Sequence, residues 1–422
     1  MVLPGLFPTG GENNIFMIIQ TVISLLFFGL IFFFPRIMVW QTDRKLRYAL
    51  TDLEAHKNDA ETMFLSKLSD SFGPGFEKKF RTMKDFKFSA PTGIDPAGLV
   101  KKLEHVLDNS ENKFERFIRQ NADTEDEEEL ADLNMAFKGV MGTHQIYKVL
   151  RHFRQLIVKT KNFQLIGLIQ MMLPIYKELA ESQKEATRAF IDQAPIGDAI
   201  GPLVAAKLIE EEPEEISEDI VHAEREFDDK TVHVLKSDGP GARLGKYGDA
   251  IDTLASENDL DAIITVDAGA KFEGEETGSI SEGVGVMMGG PGVEKSKIEE
   301  AATEHGVPLE GVIIKQSPPE ASKPMKREIY DAYEEAVEKA KELAMEHDGD
   351  VAVVGVGNTC GVANTREEVA GVHNRLRKYW EEYEEQEEED VSYMGLMGAM
   401  PGGDQSSLED AANSLLWRLP RF

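Results

Sequence analysis

Cysteine is almost absent from this 422-residue chain: Cys360 stands alone. That excludes an internal disulfide and any multi-cysteine zinc site, and it fits a reducing compartment. Basic residues are scarce as well, with 46 Lys and Arg against 76 Asp and Glu and a formal net charge of -30. Recognition of a phosphate backbone needs clustered Lys and Arg to release counterions, so nucleic acid is not an expected partner. The acid is spread along the chain as well as gathered in runs. Such a distribution suits a halophilic protein, whose self-repulsion is screened by concentrated salt. What remains, 41% hydrophobic residues, is enough for a real core and for two or three domains.

Charge is also missing from one stretch, Ile15 to Phe34, "IFMIIQTVISLLFFGLIFFF". About 20 apolar residues at roughly 1.5 Å rise each match a hydrocarbon core, so the sequence predicts one transmembrane helix over 15–40. No Lys or Arg precedes it, whereas Arg36, Arg44, Lys45 and Arg47 follow, with Trp40 at interfacial depth. The positive-inside rule then puts residues 1–14 outside the cell and the rest in the cytoplasm, anchored to the membrane through residues 15–40. A secretory signal peptide would need a basic start and a shorter apolar run.

From 41 to 190 apolar residues recur at helical spacing, as in "YKVLRHFRQLIVKTKNFQLIGLIQMMLPIYKELA", which predicts a helical cytoplasmic region. Its apolar run Leu165 to Leu173 is too short to span a bilayer, stops at Pro174 and reads as helix core. Lys148, Arg151, Arg154, Lys159 and Lys161 form a local basic patch, a solvated helix face or a contact for anionic lipid. Past 375 come an acidic run, "WEEYEEQEEED", and the amphipathic "SSLEDAANSLLWRL", read together as a linker or charged helix end and a docking helix over 376–422.

Between 191 and 375 the period changes. "TVHVLK", "DAIITVDA", "EGVIIKQ" and "DVAVVGVGN" are short β-branched runs, most of them preceded by amphipathic helical segments. Alternating strands and helices predict an α/β domain with a mostly parallel sheet, in which ligands bind beyond the carboxyl ends of the strands. Four glycine-rich loops fall there: "SDGPGARLGK", "VDAGAKFEGEETGS", "GVGVMMGGPG" and "GVGNTCGVAN". The first departs from Walker spacing, and Tyr247 stands where Ser or Thr should meet magnesium. The last has glycines spaced G-x-G-x-x-x-G, which argues against a dinucleotide fingerprint. No cofactor is named by these loops.

Two carboxylates remain to be explained. Asp267 ends the apolar run "AIITV", and Asp198 opens the helical-looking "GDAIGPLVAAKL". Facing one water, two carboxylates can divide acid and base roles, since each raises the proton affinity of the other. On spacing alone plainer roles come first, with Asp198 capping a helix and Asp267 capping a turn. In the catalytic reading Lys271 lowers the pKa of one carboxylate. Loop amides at Gly239 and Gly241 and at Gly289, Gly290 and Gly292, with Lys295, then hold an anion or oxyanion.

The segment "GDAIGPLVAAKL" resembles the D-x-x-G-P-x-V stretch of spore germination proteases and hydrogenase maturation endopeptidases. "GPGARLGKYGDAIDTL", "DAIITVDAGA" and "SISEGVGVMMGGPGVEKSKIE" are similar to further germination-protease segments in the same order, over roughly 195–316. The resemblance implies a phosphorylase/hydrolase-like fold and an endopeptidase using Asp198 and Asp267 on a peptide or protein, with Lys295 and Lys297 near a basic loop. Two departures matter. No histidine stands at the loop where the hydrogenase-type enzymes have a metal ligand, so no metal is expected, and the G-V-G-N strand lies at Val353–Asn358 rather than before Asp198. A circular permutation would reconcile the second if Gly357 comes close to Asp198. The whole layout also resembles an archaeal membrane-anchored family of unknown function, through the "PIGDAIGPLVA", "GPGARLGKYG", "VDAGAKFEGEETG" and "GVGNTCGVAN" blocks. Two functions stay open: a membrane-tethered hydrolase, and a ligand- or partner-binding module on a peptidase-like scaffold.

Overall fold

The computed structural model describes residues 13–87, 98–227, 230–289 and 292–398. The chain divides into two compact units, one made of the chain up to Lys57 with Thr143–Glu181, the other of Asn58–Gly142 with the chain from Ser182.

Three long helices run through the N-terminal half: α1 (Asn13–Leu68), α4 (Glu127–Thr160) and α5 (Phe163–Ile191), with α2 (Phe76–Lys84) and α3 (Leu99–Arg119) between the first two. The first unit closes on Leu46, Leu53, Ile146, Leu150, Ile157, Ile166 and Ile169. Spacing at three and four residues places these on single helix faces, as a core stripe requires. Beside them Asp43, nearly buried, accepts from Arg154 Nε at 2.8 Å and from Arg47. Arg154 of the basic patch is thus an ion-pair partner of its own unit. Pro174 does not stop the helix; α5 continues through it to Ile191.

The N-terminal expectation is overturned. Ile15–Phe34 forms the start of α1, yet among the described residues no helix is long and apolar enough to cross a membrane. A single-pass topology, with its membrane contact, outside terminus and cell-membrane location, is therefore withdrawn. Residues 1–12 lie outside the described residues, as do 399–422, which hold the expected docking helix. The acidic run before them is helical, part of α12 (Val372–Gly398), anchored by the buried Leu376, Tyr379 and Trp380.

In the second unit an aromatic cluster joins α1 to α4. Phe137 is fully buried, its ring centroid 5.3 Å from Phe117 and 5.4 Å from Phe64. Beyond it comes one seven-stranded sheet: β1 (Glu214–Ser217), β2 (Ile220–Phe227), β3 (Lys230–Ser237), β4 (Leu260–Ala270), β5 (Ile280–Val284), β6 (Leu309–Gln316) and β7 (Asp350–Gly355), in the order β1-β2-β3-β7-β4-β6-β5. The four expected runs are β3, β4, β6 and β7, and they pair in parallel. The sheet as a whole is mixed, because β1, β2 and β5 add antiparallel edges. This corrects the mostly parallel sheet. The central strands are β-branched on both faces because both are covered. One face carries α6 (Ile200–Leu208), α10 (Arg327–Asp331), α11 (Tyr333–Glu346) and α12, the other α7 (Tyr247–Glu257) and α8 (Val293–His305); the short α9 (Pro318–Ser322) follows β6. Twelve α-helices are present among the described residues.

Candidate functional site at the carboxyl edge of the sheet

The site begins where two central strands part. β7 pairs with β4 as far as Gly355 opposite Val266, and the next residue, Val356, still donates its N–H to Val266 O at 2.9 Å. Gly357 then turns away with φ of +142°, a region that disfavours a side chain. β4 runs on alone on that side, so its next residue, Asp267, loses a neighbouring strand at this level. The first turn of α6 fills the space. A Cβ on Gly201 would sit 2.2 Å from Val356 O and 2.4 Å from Val266 O, so only glycine lets the helix come this close.

That approach delivers Asp198. It lies in a single 3-10 turn, Gly197–Ala199, ahead of α6, and its carboxylate does not cap the helix. Asp198 Oδ2 instead accepts the N–H of Asn358, 160 residues away, at 3.0 Å. Nor does Asp267 cap a turn, since β4 continues to Ala270; its Oδ1 accepts the adjacent Ala268 N–H at 2.7 Å. Asp267 is 3% exposed, and its Oδ2 has no hydrogen-bond partner among the described residues. Asn358 is equally buried, with Oδ1 accepting Cys360 N–H at 2.9 Å and Nδ2 unpartnered among the described residues.

Electrostatics couple the aspartates. Burial raises the Asp267 carboxyl well above the ordinary range and the Asp198 charge raises it further, against smaller opposing effects of Ala268 N–H and Lys295. Burial likewise raises Asp198, against the Asn358 N–H. A carboxylate resists ionisation when it is buried or stands near another, so both groups are biased towards holding a proton. Beneath it Tyr247 OH donates to Gly355 O at 2.8 Å and accepts Ser237 N–H at 3.1 Å, pinning β7 to β3. The residue that spoils a Walker loop is a structural strut.

The remaining expected residues divide. Gly357 stands against Asp198, where an added Cβ would be 2.0 Å from Asp198 O. Lys295 is about two-fifths exposed on α8, paired with Glu299 at 3.8 Å, and its charge reaches Asp267. Lys271 turns elsewhere: its Nζ donates to Thr277 and pairs with Glu320 at 3.3 Å. Burial pushes that glutamate up, but Lys326 and Lys271 with the Ser317 N–H bring it down to about 2. Lys271 therefore does not tune the aspartates. The Gly239 amide donates to Asn364 Oδ1 at 2.9 Å and the Gly241 amide to Glu128, so neither is free for an oxyanion. Asn364 Oδ1 also takes Lys236 Nζ at 2.6 Å, a fully buried lysine whose pKa burial lowers to about 7. Gly289 is exposed, Gly292 precedes α8 at φ of +77°, and Gly290 lies outside the described residues. Asn358 is the residue that sequence reasoning passed over; its signal was its place in "GVGN" at the end of an apolar run.

No curated protein and no solved structure matches the chain. Residues 18–193 match the N-terminal domain of a family described as a protein of unknown function (DUF1512), and residues 196–363 match that family's C-terminal domain. With both domains present over most of its length, the chain belongs to the DUF1512 family.

Proposed function

We propose that the α/β domain is a hydrolase whose chemistry is carried by the Asp198–Asp267 pair. The carrying observation is Asp267 Oδ2, buried and without a partner among the described residues, on a carboxyl whose proton affinity is raised by burial and by the Asp198 charge. Native proteins rarely leave such an atom unsatisfied unless a water or ligand completes it. A carboxylate that shares a proton with its neighbour can take one from water while the other gives one to a leaving group. The Asn358 amide fixes Asp198 for that exchange. An acyl bond of peptide type is the first substrate class to try, given the similarity of "GDAIGPLVAAKL" to endopeptidase segments.

A second reading, ligand binding without chemistry, has its own support. The Gly239 and Gly241 amides are already used by Asn364 and Glu128, which leaves a transition state with fewer donors than an oxyanion hole normally supplies. Mass spectrometry of an unfolded protein mixture incubated with the full chain separates the two. Cleavage that disappears in Asp198→Asn and Asp267→Asn sustains the hydrolase; none from a folded wild type leaves the binding module.

A further inference from the structure

A second group of ligating side chains lies on β2 and β3, away from the aspartates. Glu224 is the direct cross-strand partner of His233, and His222, two residues along β2, is on the same face of the ladder. His222 Nε2 and His233 Nδ1 are 3.1 Å apart, and Glu224 Oε1 is 3.8 Å from the same Nδ1. One ligand atom from each of the three residues falls within 4.8 Å of the others.

We propose that His222, Glu224 and His233 form a binding site for a divalent transition metal of the zinc class. Two imidazole nitrogens at about 2.0–2.1 Å from a tetrahedral ion stand roughly 3.3 Å apart, close to the spacing here. Two imidazoles and a carboxylate make the donor set of open zinc sites, and imidazole selects zinc, cobalt, nickel or copper over magnesium and calcium. The ligands sit on paired strands, whose hydrogen-bond ladder holds them in place before an ion arrives. His233 is 2% exposed and His222 half-buried, whereas Glu224 is 64% exposed, so the fourth position faces solvent and admits water or an external ligand. Glu214 lies within electrostatic reach of His222 and Asp350 of His233, and both favour a cation.

The test is Co²⁺ titration of the metal-stripped full chain, read by visible ligand-field absorption. Excess Mg²⁺ is present to occupy the acidic surface. One Co²⁺ per chain with a tetrahedral spectrum, displaced by Zn²⁺, is the expected result. Changing an outer-shell partner already costs about 10–100-fold in metal affinity, so losing a ligand in His222→Gln should cost at least ~100-fold. Should circular dichroism show that variant unfolded, Glu224→Gln at the exposed position replaces it, with an expected weakening of at least ~10-fold. No saturable cobalt spectrum, or equal affinity in a folded variant, overturns the site.

Discussion

The carboxylate of Asp198 accepts the main-chain N–H of Asn358 at 3.0 Å, tying the turn before α6 to the loop after β7. This bond holds the partly exposed Asp198 at the sheet edge where Asp267 is buried, 69 residues further along the chain (267 minus 198). Burial raises both pKa values, and the Asp198 charge raises that of Asp267 further, so the fold keeps a proton to higher pH than the unfolded chain does.

The sign of the resulting pH dependence follows from linkage. Below an unfolded Asp pKa of about 3.9 both states are protonated and the raised pKa costs nothing. As pH climbs past that value only the unfolded chain releases its proton, so stability falls until the folded pKa is reached. Asp267→Asn mimics the protonated acid and removes the part of the slope that Asp267 contributes. Urea denaturation at pH 4, 6 and 8 should find this variant close to wild type at pH 4 and increasingly more stable than wild type towards pH 8, each tenfold gain in proton affinity on folding being worth about 1.4 kcal/mol. A variant that is less stable at every pH would show that Asp267 is ionised in the fold.

Gly201 makes a harder test of how the site is built. Its missing Cβ would meet two backbone oxygens, which cannot rotate away as a flexible side chain would. Gly201→Ala should lift α6 from the strands, costing about 3 kcal/mol or more and weakening any activity of the aspartate pair. Thermal melting of the variant beside wild type checks it. A melting temperature within a degree or two of wild type would mean that α6 sits less tightly than described.

Phe137 anchors the aromatic cluster between α1 and α4, and nothing polar compensates its removal. Phe137→Ala should cost roughly 3–5 kcal/mol through lost burial and the cavity left behind. Phe137→Leu should cost clearly less, and the order of the two in denaturant midpoint is the measurement. Equal losses would point to a cluster that collapses around any smaller residue.

What the sequence disclosed follows the strength of its patterns. β3, β4, β6 and β7 were legible because buried parallel strands are continuous β-branched runs, "AIITV" and "VAVV" among them. β2 reads "IVHAEREF", with three charged residues in a row where its far end opens to solvent, and β5 carries a glycine in "ISEGV"; both were missed, and with them the antiparallel edges. Asp198 and Asp267 were found from their places at a helix start and a strand end. The occupants of the loop amides were not foreseeable, since Glu128 comes from α4, more than 100 residues before Gly241. Neither was the His222–His233 contact, which depends on the register of a strand pair that the sequence hides. The apolar N-terminal stretch was the strongest composition signal and the least reliable guide, because it continues without a break into the charged turns of α1.

Asp132 on α4 tests how the helical segment supports the loop beyond β3. Nearly buried, it accepts Ala242 N–H at 2.9 Å through Oδ1 and Gln193 Nε2 at 3.0 Å through Oδ2, and burial pushes its pKa up to about 7 despite both donors. Asp132→Ala abandons two buried donors, each costing about 1–3 kcal/mol, so a loss of roughly 3 kcal/mol is expected at neutral pH. Asp132→Asn keeps one acceptor and should lose less. The pH profile separates charge from hydrogen bonding. With a raised folded pKa, the wild-type contribution is lost as pH rises from about 4 to about 7, because only the folded state still holds the proton. Position 132 cannot titrate in the asparagine variant, so its stability should decline less steeply over that window and wild type should fall towards it. Parallel curves for the two proteins would place the Asp132 proton in solution at neutral pH and make the loop contact an ionic one.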